Sequence, residues 1–489
     1  MLLPVKLKRA VFMQKRLDLL FWLLAAIVLS RLISMAMLPM IGTTEARYGE
    51  IARIMAETGD WITPWFNYGV PFWGKPPLSF WSEALSFRLF GVTEFSARLP
   101  SWLANLGILA LIYHLTRTIV GHRQALIATL IYSTMGLSFV MSGAVLTDPF
   151  LALAITLSLV SIILTLRQPT SNWRWWFFIG LAIGLLSKGP LVLVLVGAPL
   201  FLWVMWRRQW RDLYRDIPWI RGFLLTALLA LPWYIMAELK TPGFINYFIV
   251  GEHFLRFVDS GWSGDLYGTA HKQTYGTIWL YWVLASMPWG PIAVIVFAWR
   301  WFSIKSSRQK LNDEQRLLFV FALFPSLFFS LSGNILWTYQ LPALIPLAIL
   351  IAILITNAVP TTSLRKFSGI TLITFVPLAI MFYGFYGYFY PEKLKTEKTL
   401  VAYYEQHKAP SSPALMYIEK PPFSARFYSK GRVTVKSLAE IKALLQRHDN
   451  LTYYLAVPNK KVDNIIPSLL GQVTVVITNK RFSLLKILP

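Results

Sequence analysis

No cysteine occurs anywhere in the 489 residues. That excludes a disulfide framework, a thiolate metal site and a cysteine nucleophile together, and it leaves the chain indifferent to redox conditions. Charge is scarce as well. Asp, Glu, Lys and Arg make up 14% of the chain, where a soluble globular chain carries roughly 25%. So few charges cannot cover a water-facing surface of this size. Acidic residues are the scarcest, 23 against 47 Lys and Arg, for a net charge of +24. In a soluble protein that excess would suggest nucleic acid, but there is no basic stripe interleaved with aromatics as a nucleic-acid groove needs. Neither a P-loop nor a GxGxxG after a strand occurs, so a soluble nucleotide substrate is unsupported.

What the chain does have is apolar length. It is 56% hydrophobic with a mean hydropathy of +0.52. Its 21 Trp and 21 Tyr suit the aromatic belts at headgroup level. About 20 apolar residues span a bilayer as a helix. That length predicts about eleven spans, at 17–39, 97–117, 124–145, 149–166, 174–188, 190–206, 220–237, 277–299, 315–331, 340–356 and 368–389. The fold class is an α-helical polytopic membrane protein. The first span follows Lys6, Lys8, Arg9, Lys15 and Arg16. It is too long for a signal-peptide core and lacks a small-x-small cleavage site, which predicts a retained helix.

Loop charges orient these spans. With the N-terminus inside, the segments 1–16, 117–123, 167–174, 207–221, 300–316 and 357–366 hold 21 basic residues, and the opposite loops hold nine. Lys and Arg favour the cytoplasmic side. An odd number of spans then puts residues 391–489 outside, as a small α/β domain following a membrane domain of residues 1–390. Strand-like runs at Ala414–Ile418, Leu451–Val457 and Gln472–Ile477 and a helical stretch at Ser437–Arg447 mark that tail.

Two outer loops are long, 40–96 and 238–276, and loops of that length are usually functional or disordered. The first predicts a surface helix from Thr43-Thr44-Glu45 onward, behind Thr caps, and a second from Lys75-Pro76-Pro77-Leu78. Ionisable residues gather at helix ends on this outer face: Glu45, Arg47, Lys75, Asp148, Lys188, Glu252, His253 and Arg256. Such groups at membrane depth are expensive, and function is the default reading for them. Each also has a plain reading. Glu45 complements a helix dipole. Asp148 before Pro149 reads as an N-cap with Pro at N1. Lys75 either snorkels to headgroups or grips a phosphate. Glu252 and His253, adjacent on a helix, point different ways and make a weak metal signal. As a set, carboxylates and cations beside a lipid-accessible groove suit chemistry on an anionic lipid: a carboxylate as general base, cations stabilising a leaving phosphate.

The order of short motifs carries a resemblance. Thr44-Glu45-Ala46-Arg47-Tyr48-Gly49-Glu50, Gly59-Asp60-Trp61, Gly74-Lys75-Pro76-Pro77-Leu78, Thr147-Asp148-Pro149, Ser187-Lys188-Gly189-Pro190, Glu252-His253-Phe254-Leu255-Arg256-Phe257, Met287-Pro288-Trp289 and Tyr339-Gln340-Leu341-Pro342 run in series over residues 40–345. In this the chain resembles bacterial relatives of protein O-mannosyltransferases and the lipid A aminoarabinose transferase, membrane glycosyltransferases of the GT-C fold. The resemblance implies an inverting transfer of a sugar from a polyprenyl-phosphate donor to an acceptor (lipid A, a glycan, another lipid or a protein) at the outer face of a bacterial inner membrane. It implies Glu45 and Asp148 as catalytic carboxylates, with Arg47, Lys75, Lys188, His253, Arg256 and Tyr339 binding substrate. Many relatives read Asp-Glu-Ala-Arg-Tyr where Thr44 stands here, so Glu45 is the nearest carboxylate. The aminoarabinose enzyme has Glu-Lys-Pro where this chain has Gly74-Lys75-Pro76, and that Glu helps a His bind metal. No cofactor is therefore expected, although His253 keeps a divalent metal in view. A transporter or flippase, and a catalytically inactive relative that binds a polyprenyl lipid, are the alternatives.

Overall fold

A computed structural model describes residues 5–207, 210–259, 262–268, 271–303, 311–358, 363–446, 451–469 and 471–488. Each of the eleven apolar stretches falls on helix. Among the described residues five helices are long and apolar enough to cross a bilayer alone: Leu17–Met37, Glu94–Ile119, Asp148–Arg167, Trp219–Lys240 and Trp337–Ile355. The others are shorter, less apolar or broken. The stretch 124–145 splits into His122–Thr134 and Gly136–Met141, and the stretch 277–299 bends by 99° between Thr277–Ser286 and Trp289–Trp299. The two breaks meet. Gly136 N donates to Met287 O at 2.8 Å, and Trp289 Nε1 donates to Thr134 Oγ1 at 2.8 Å. Backbone groups freed by broken helices need such partners where water is absent.

Asp148–Arg167 is the axis of the bundle, with 89% of its apolar window buried. Small residues let its neighbours approach. A Cβ on Gly180 would sit 2.4 Å from Ser158 Oγ, and one layer out, between Trp219–Lys240 and Trp173–Lys188, one on Gly222 would sit 2.0 Å from the Phe178 ring. Close contact at small residues is how helices associate where lipid removes the hydrophobic drive. Trp173–Lys188 and Leu191–Arg207 are separated by a turn at Gly189, whose φ of 77° suits glycine.

The first outer loop forms the expected helices, Thr44–Thr58 and Leu78–Phe90. The capping expectation fails, because Thr43 makes no side-chain cap bond. Nine of the fifteen residues of Thr44–Thr58 are buried, because the bundle flanks it on one side and the C-terminal helix Phe423–Tyr428 on the other. Phe427 lies 3.3 Å from where a Gly49 Cβ would stand. Tyr428 accepts from Met40 N at 2.8 Å and donates to Glu94 at 2.9 Å.

Beyond this contact the tail builds a five-stranded mixed sheet. Its spatial order is Thr434–Val435, Met416–Tyr417, Tyr453–Pro458, Phe482–Leu488, Gln472–Thr478. The first three strands run parallel and the last two pair antiparallel. Phe482–Leu488 and Thr434–Val435 add to the three strands expected.

Candidate active site

Three helix ends and two loops bring the polar residues together. Asp148 is the first residue of Asp148–Arg167, and Lys188 is the last of Trp173–Lys188. Because these helices are antiparallel neighbours, their ends coincide. Lys188 Nζ donates to Asp148 Oδ1 at 2.7 Å, with both side chains about nine-tenths buried. Asp148 is therefore not the helix cap. Thr147 holds that place, without a side-chain bond. The short turn Trp337–Gln340 sets the Tyr339 ring 4.8 Å from Lys188 Nζ, closing a narrow cavity with Thr338 and Phe329.

A second cluster lies on the outer loops. Residues Asn246–Leu255 form a π-helix, a rare conformation that often marks functional sites. Its Glu252 accepts from Lys75 Nζ at 3.1 Å and from Arg256 Nη1 at 2.9 Å. Arg256 also reaches Asp265 at 3.4 Å, and Tyr247 donates to Glu252 at 3.4 Å. Burial alone would raise the Glu252 carboxyl. The Lys75 ammonium and the Arg256 guanidinium overcome that and hold it at about 2.

His253 joins the clusters. Nε2 faces the Lys188 carbonyl at 2.9 Å and Nδ1 the Phe248 carbonyl at 2.8 Å. A neutral imidazole donates from one nitrogen only, and burial lowers the His253 pKa. One of the two carbonyls therefore accepts from His253, while the neighbouring Glu252 is held by two cations. Among the described residues no three His, Asp or Glu side chains form a metal-sized cluster.

Arg47 donates to the Tyr267 carbonyl and lies 5.5 Å from the Tyr48 ring. Tyr48 is 5% exposed. Burial raises its hydroxyl, and the charges of Arg47, Asp148, Lys188 and Glu252 all reach it, so it stands between the two clusters.

Glu45 is held by another partner, and it also accepts from Val145 N, three residues before Asp148, at 3.4 Å. Arg98 grips both its oxygens at 2.8 Å and donates as well to the carbonyls of Met35, Leu38 and Pro39. No contact among the described residues joins Glu45 to Lys75, Lys188 or Asp148. The structure thus gathers Asp148, Lys188, Tyr339, His253, Lys75, Arg256 and Arg47, and sets Glu45 in a separate ion pair. Glu252, Asp265 and Tyr48 are site residues that sequence reasoning did not single out as substrate-binding or catalytic. Glu252 did stand among the outer-face ionisable residues, and its four-residue spacing from Arg256 was a further signal of the pair.

A helical bundle with its polar site at the outer helix ends, two outer-loop helices and a C-terminal sheet defines the GT-C class of membrane glycosyltransferase folds. The chain has that fold. It is similar over 96% of its length to 98% of the crystal structure of ArnT from Cupriavidus metallidurans bound to undecaprenyl phosphate, with TM-score 0.77 and 17% identity. It also aligns, at TM-score 0.51 and 11% identity, with the archaeal oligosaccharyltransferase AglB of Archaeoglobus fulgidus in complex with an inhibitory peptide and a dolichol-phosphate, covering 90% of this chain and 70% of that one.

By sequence, residues 19–248 match the family described as dolichyl-phosphate-mannose-protein mannosyltransferase. The chain is related to the undecaprenyl phosphate-alpha-4-amino-4-deoxy-L-arabinose arabinosyl transferases. It is 29% identical to that of Aeromonas hydrophila over 322 residues, 64% of this chain and 56% of the relative. It is 31% identical to the second such enzyme of Proteus mirabilis over 318 residues, 63% of this chain and 54% of the relative. The chain thus spans a little over half the length of the curated relatives it matches. It is a multi-pass membrane protein of the GT-C fold, as its motif series implied.

Proposed function

We propose that this protein transfers a sugar from a polyprenyl-phosphate donor to an acceptor at the outer membrane face, with inversion at the anomeric carbon. The observation that carries the reading is the Lys75–Glu252–Arg256 arrangement. Two cations converge on one buried carboxylate, so the seat is already built for an anion. A donor phosphate exchanges with Glu252 as their partner, bidentate at Arg256 and as a point charge at Lys75. Asp148, at the mouth of the bundle, accepts the acceptor's hydroxyl proton. The acceptor oxygen bonds to the anomeric carbon as the bond to the phosphate oxygen breaks, and the phosphate leaves with the electron pair. Lys75, Arg256 and Lys188 stabilise the charge that gathers on it, the electrostatic term that is usually the largest. Tyr339 and His253 hold Lys188 from the ring side and the backbone side.

The relatives support the donor class, since curated homologues are named for an undecaprenyl-phosphate sugar and a fold neighbour holds undecaprenyl phosphate. The loop-charge asymmetry supports an outward-facing site and an external C-terminal domain, residues 391–489, beside a membrane domain of residues 1–390. The Glu45–Arg98 pair favours a second reading, a relative that binds the lipid without turning it over, because Arg98 already engages both oxygens of the carboxylate nearest the usual Asp position. Incubating purified protein with a labelled polyprenyl-phosphate sugar and membrane glycolipids separates the two. Release of polyprenyl phosphate with label in a new product supports transfer, and retention of intact donor supports binding alone.

A further inference from the structure

A large apolar cavity lies at the other end of the bundle from Asp148 and Lys188. It holds about 540 Å³, within the roughly 300–1,000 Å³ of small-molecule sites. Phe177, Val196, Leu200, Trp210, Tyr214 and Trp219 are among its walls. Phe177 and Lys188 are eleven residues apart on one helix, which at about 1.5 Å per residue puts roughly 16 Å between cavity and site. Gly197 forms part of the wall, and a Cβ there would meet nothing within 4 Å. The helix therefore leaves open space that an ordinary side chain would have filled. The wall is apolar and its rim aromatic, with Trp210 48% and Tyr214 80% exposed.

The rim is also cationic. Residues 207–221 hold five Arg and two Asp. Arg207 is paired with Asp313 and Arg215 with Asp216. Arg211 is exposed next to the lining Trp210, and no ion pair to a described residue engages it. Arg174 lies one helical turn before Phe177 on the same face, and its Nε is buried without a hydrogen-bond partner.

We infer that this groove binds one diacyl glycerophospholipid with a monoanionic headgroup, of the phosphatidylglycerol type. One acyl chain lies over Gly197, and the phosphate lies between Arg174 and Arg211. Basic pockets between membrane helices select anionic lipids through this combination of charge and apolar depth. The site is separate from the donor site and needs no catalysis to be observed.

Delipidated full-length protein, titrated with phosphatidylglycerol or phosphatidylcholine, tests the assignment by thermal melting and native mass spectrometry. The wild type is expected to retain one phosphatidylglycerol and to gain about 2–4 °C in Tm over phosphatidylcholine at saturation. Gly197→Leu, which fills the groove, loses the bound lipid. Gly197→Ala, which leaves most of it open, keeps it. Arg174→Gln with Arg211→Gln abolishes the preference for phosphatidylglycerol. Equal Tm gains for both lipids in the wild type, or an undiminished gain in Gly197→Leu, would overturn the inference. So would polyprenyl phosphate or a second copy of the chain as the species displaced by Gly197→Leu.

Discussion

Replacing Asp148 with Asn tests whether the pair it makes with Lys188 is what holds the outer helix ends together. The two side chains are about 10% and 9% exposed and 2.7 Å apart. Removing one charge from such a pair leaves the other buried and uncompensated, which costs about 3–5 kcal/mol. An unfolding entropy of about 2.1 cal/mol/K per residue over a chain this long comes to ~1 kcal/mol/K, so that cost lowers Tm by about 3–5 °C. Asn caps a helix about as well as Asp, so a capping role would leave Tm almost unchanged. Lys188→Met supplies the control, since replacing both members of a buried pair with neutral groups is often close to neutral. The double variant Asp148→Asn/Lys188→Met should melt within about 1–2 °C of wild type, a strongly non-additive cycle. Melting in detergent with sugar transfer measured on the same samples gives both readouts. Single substitutions whose Tm losses simply add in the double variant would refute the pairing, and transfer at wild-type rate by Asp148→Asn would remove Asp148 from the chemistry.

Lys75→Ala should slow transfer by about a hundred- to thousandfold, by analogy with the loss of one oxyanion donor, and a rate within threefold of wild type would place the phosphate elsewhere. Glu252 sets an acid limit. Its folded pKa of about 2 lies below the ordinary 4.5, so its contribution of about 3 kcal/mol is complete above pH 4.5 and is lost as pH falls toward 2. Comparing Tm at pH 7 and pH 3 in wild type and Glu252→Gln checks this, since the variant should lack that part of the acid loss. Chelation should leave turnover intact, because Lys75 and Arg256 already hold the Glu252 carboxylate beside His253. Activity lost in chelator and restored by zinc or manganese would contradict that. Lys460→Cys in this cysteine-free chain should react with an impermeant thiol reagent from outside intact cells. Labelling only after membrane rupture would reverse the proposed orientation.

The apolar stretches were legible because burial in lipid demands length, and the two surface helices because Thr-Thr-Glu and Lys-Pro-Pro mark their starts. The breaks near Met135 and Met287 were not read, although Ser133, Thr134 and Gly136 flank the first and Ser286 and Pro288 the second, because a criterion of apolar length averages over such short interruptions. Phe482–Leu488 hid for a related reason. As an interior strand buried on both faces, it shows no alternation of polar and apolar residues. The cationic and acidic members of the site could be named one by one, but their pairing could not. Asp148 and Lys188 are 40 residues apart, and Glu45 meets Arg98 across 53. A local rule could therefore offer a cap as the plain reading of Asp148, and no local rule could pair Glu45 with Arg98.

The contact of Phe427 and Tyr428 with the Thr44–Thr58 helix changes how the chain may be cut. A protein engineer seeking a minimal catalytic fragment would stop at the end of the last apolar helix, near residue 390, where composition turns polar. That fragment would uncover one flank of the helix carrying Arg47 and Tyr48. It would strand Glu94 without its partners Tyr428 and Lys398, and a greasy segment would be left facing water beside the site. The polar tail is thus the roof of the reaction chamber, and a shortened version should be judged by whether that helix stays in place before its activity is measured.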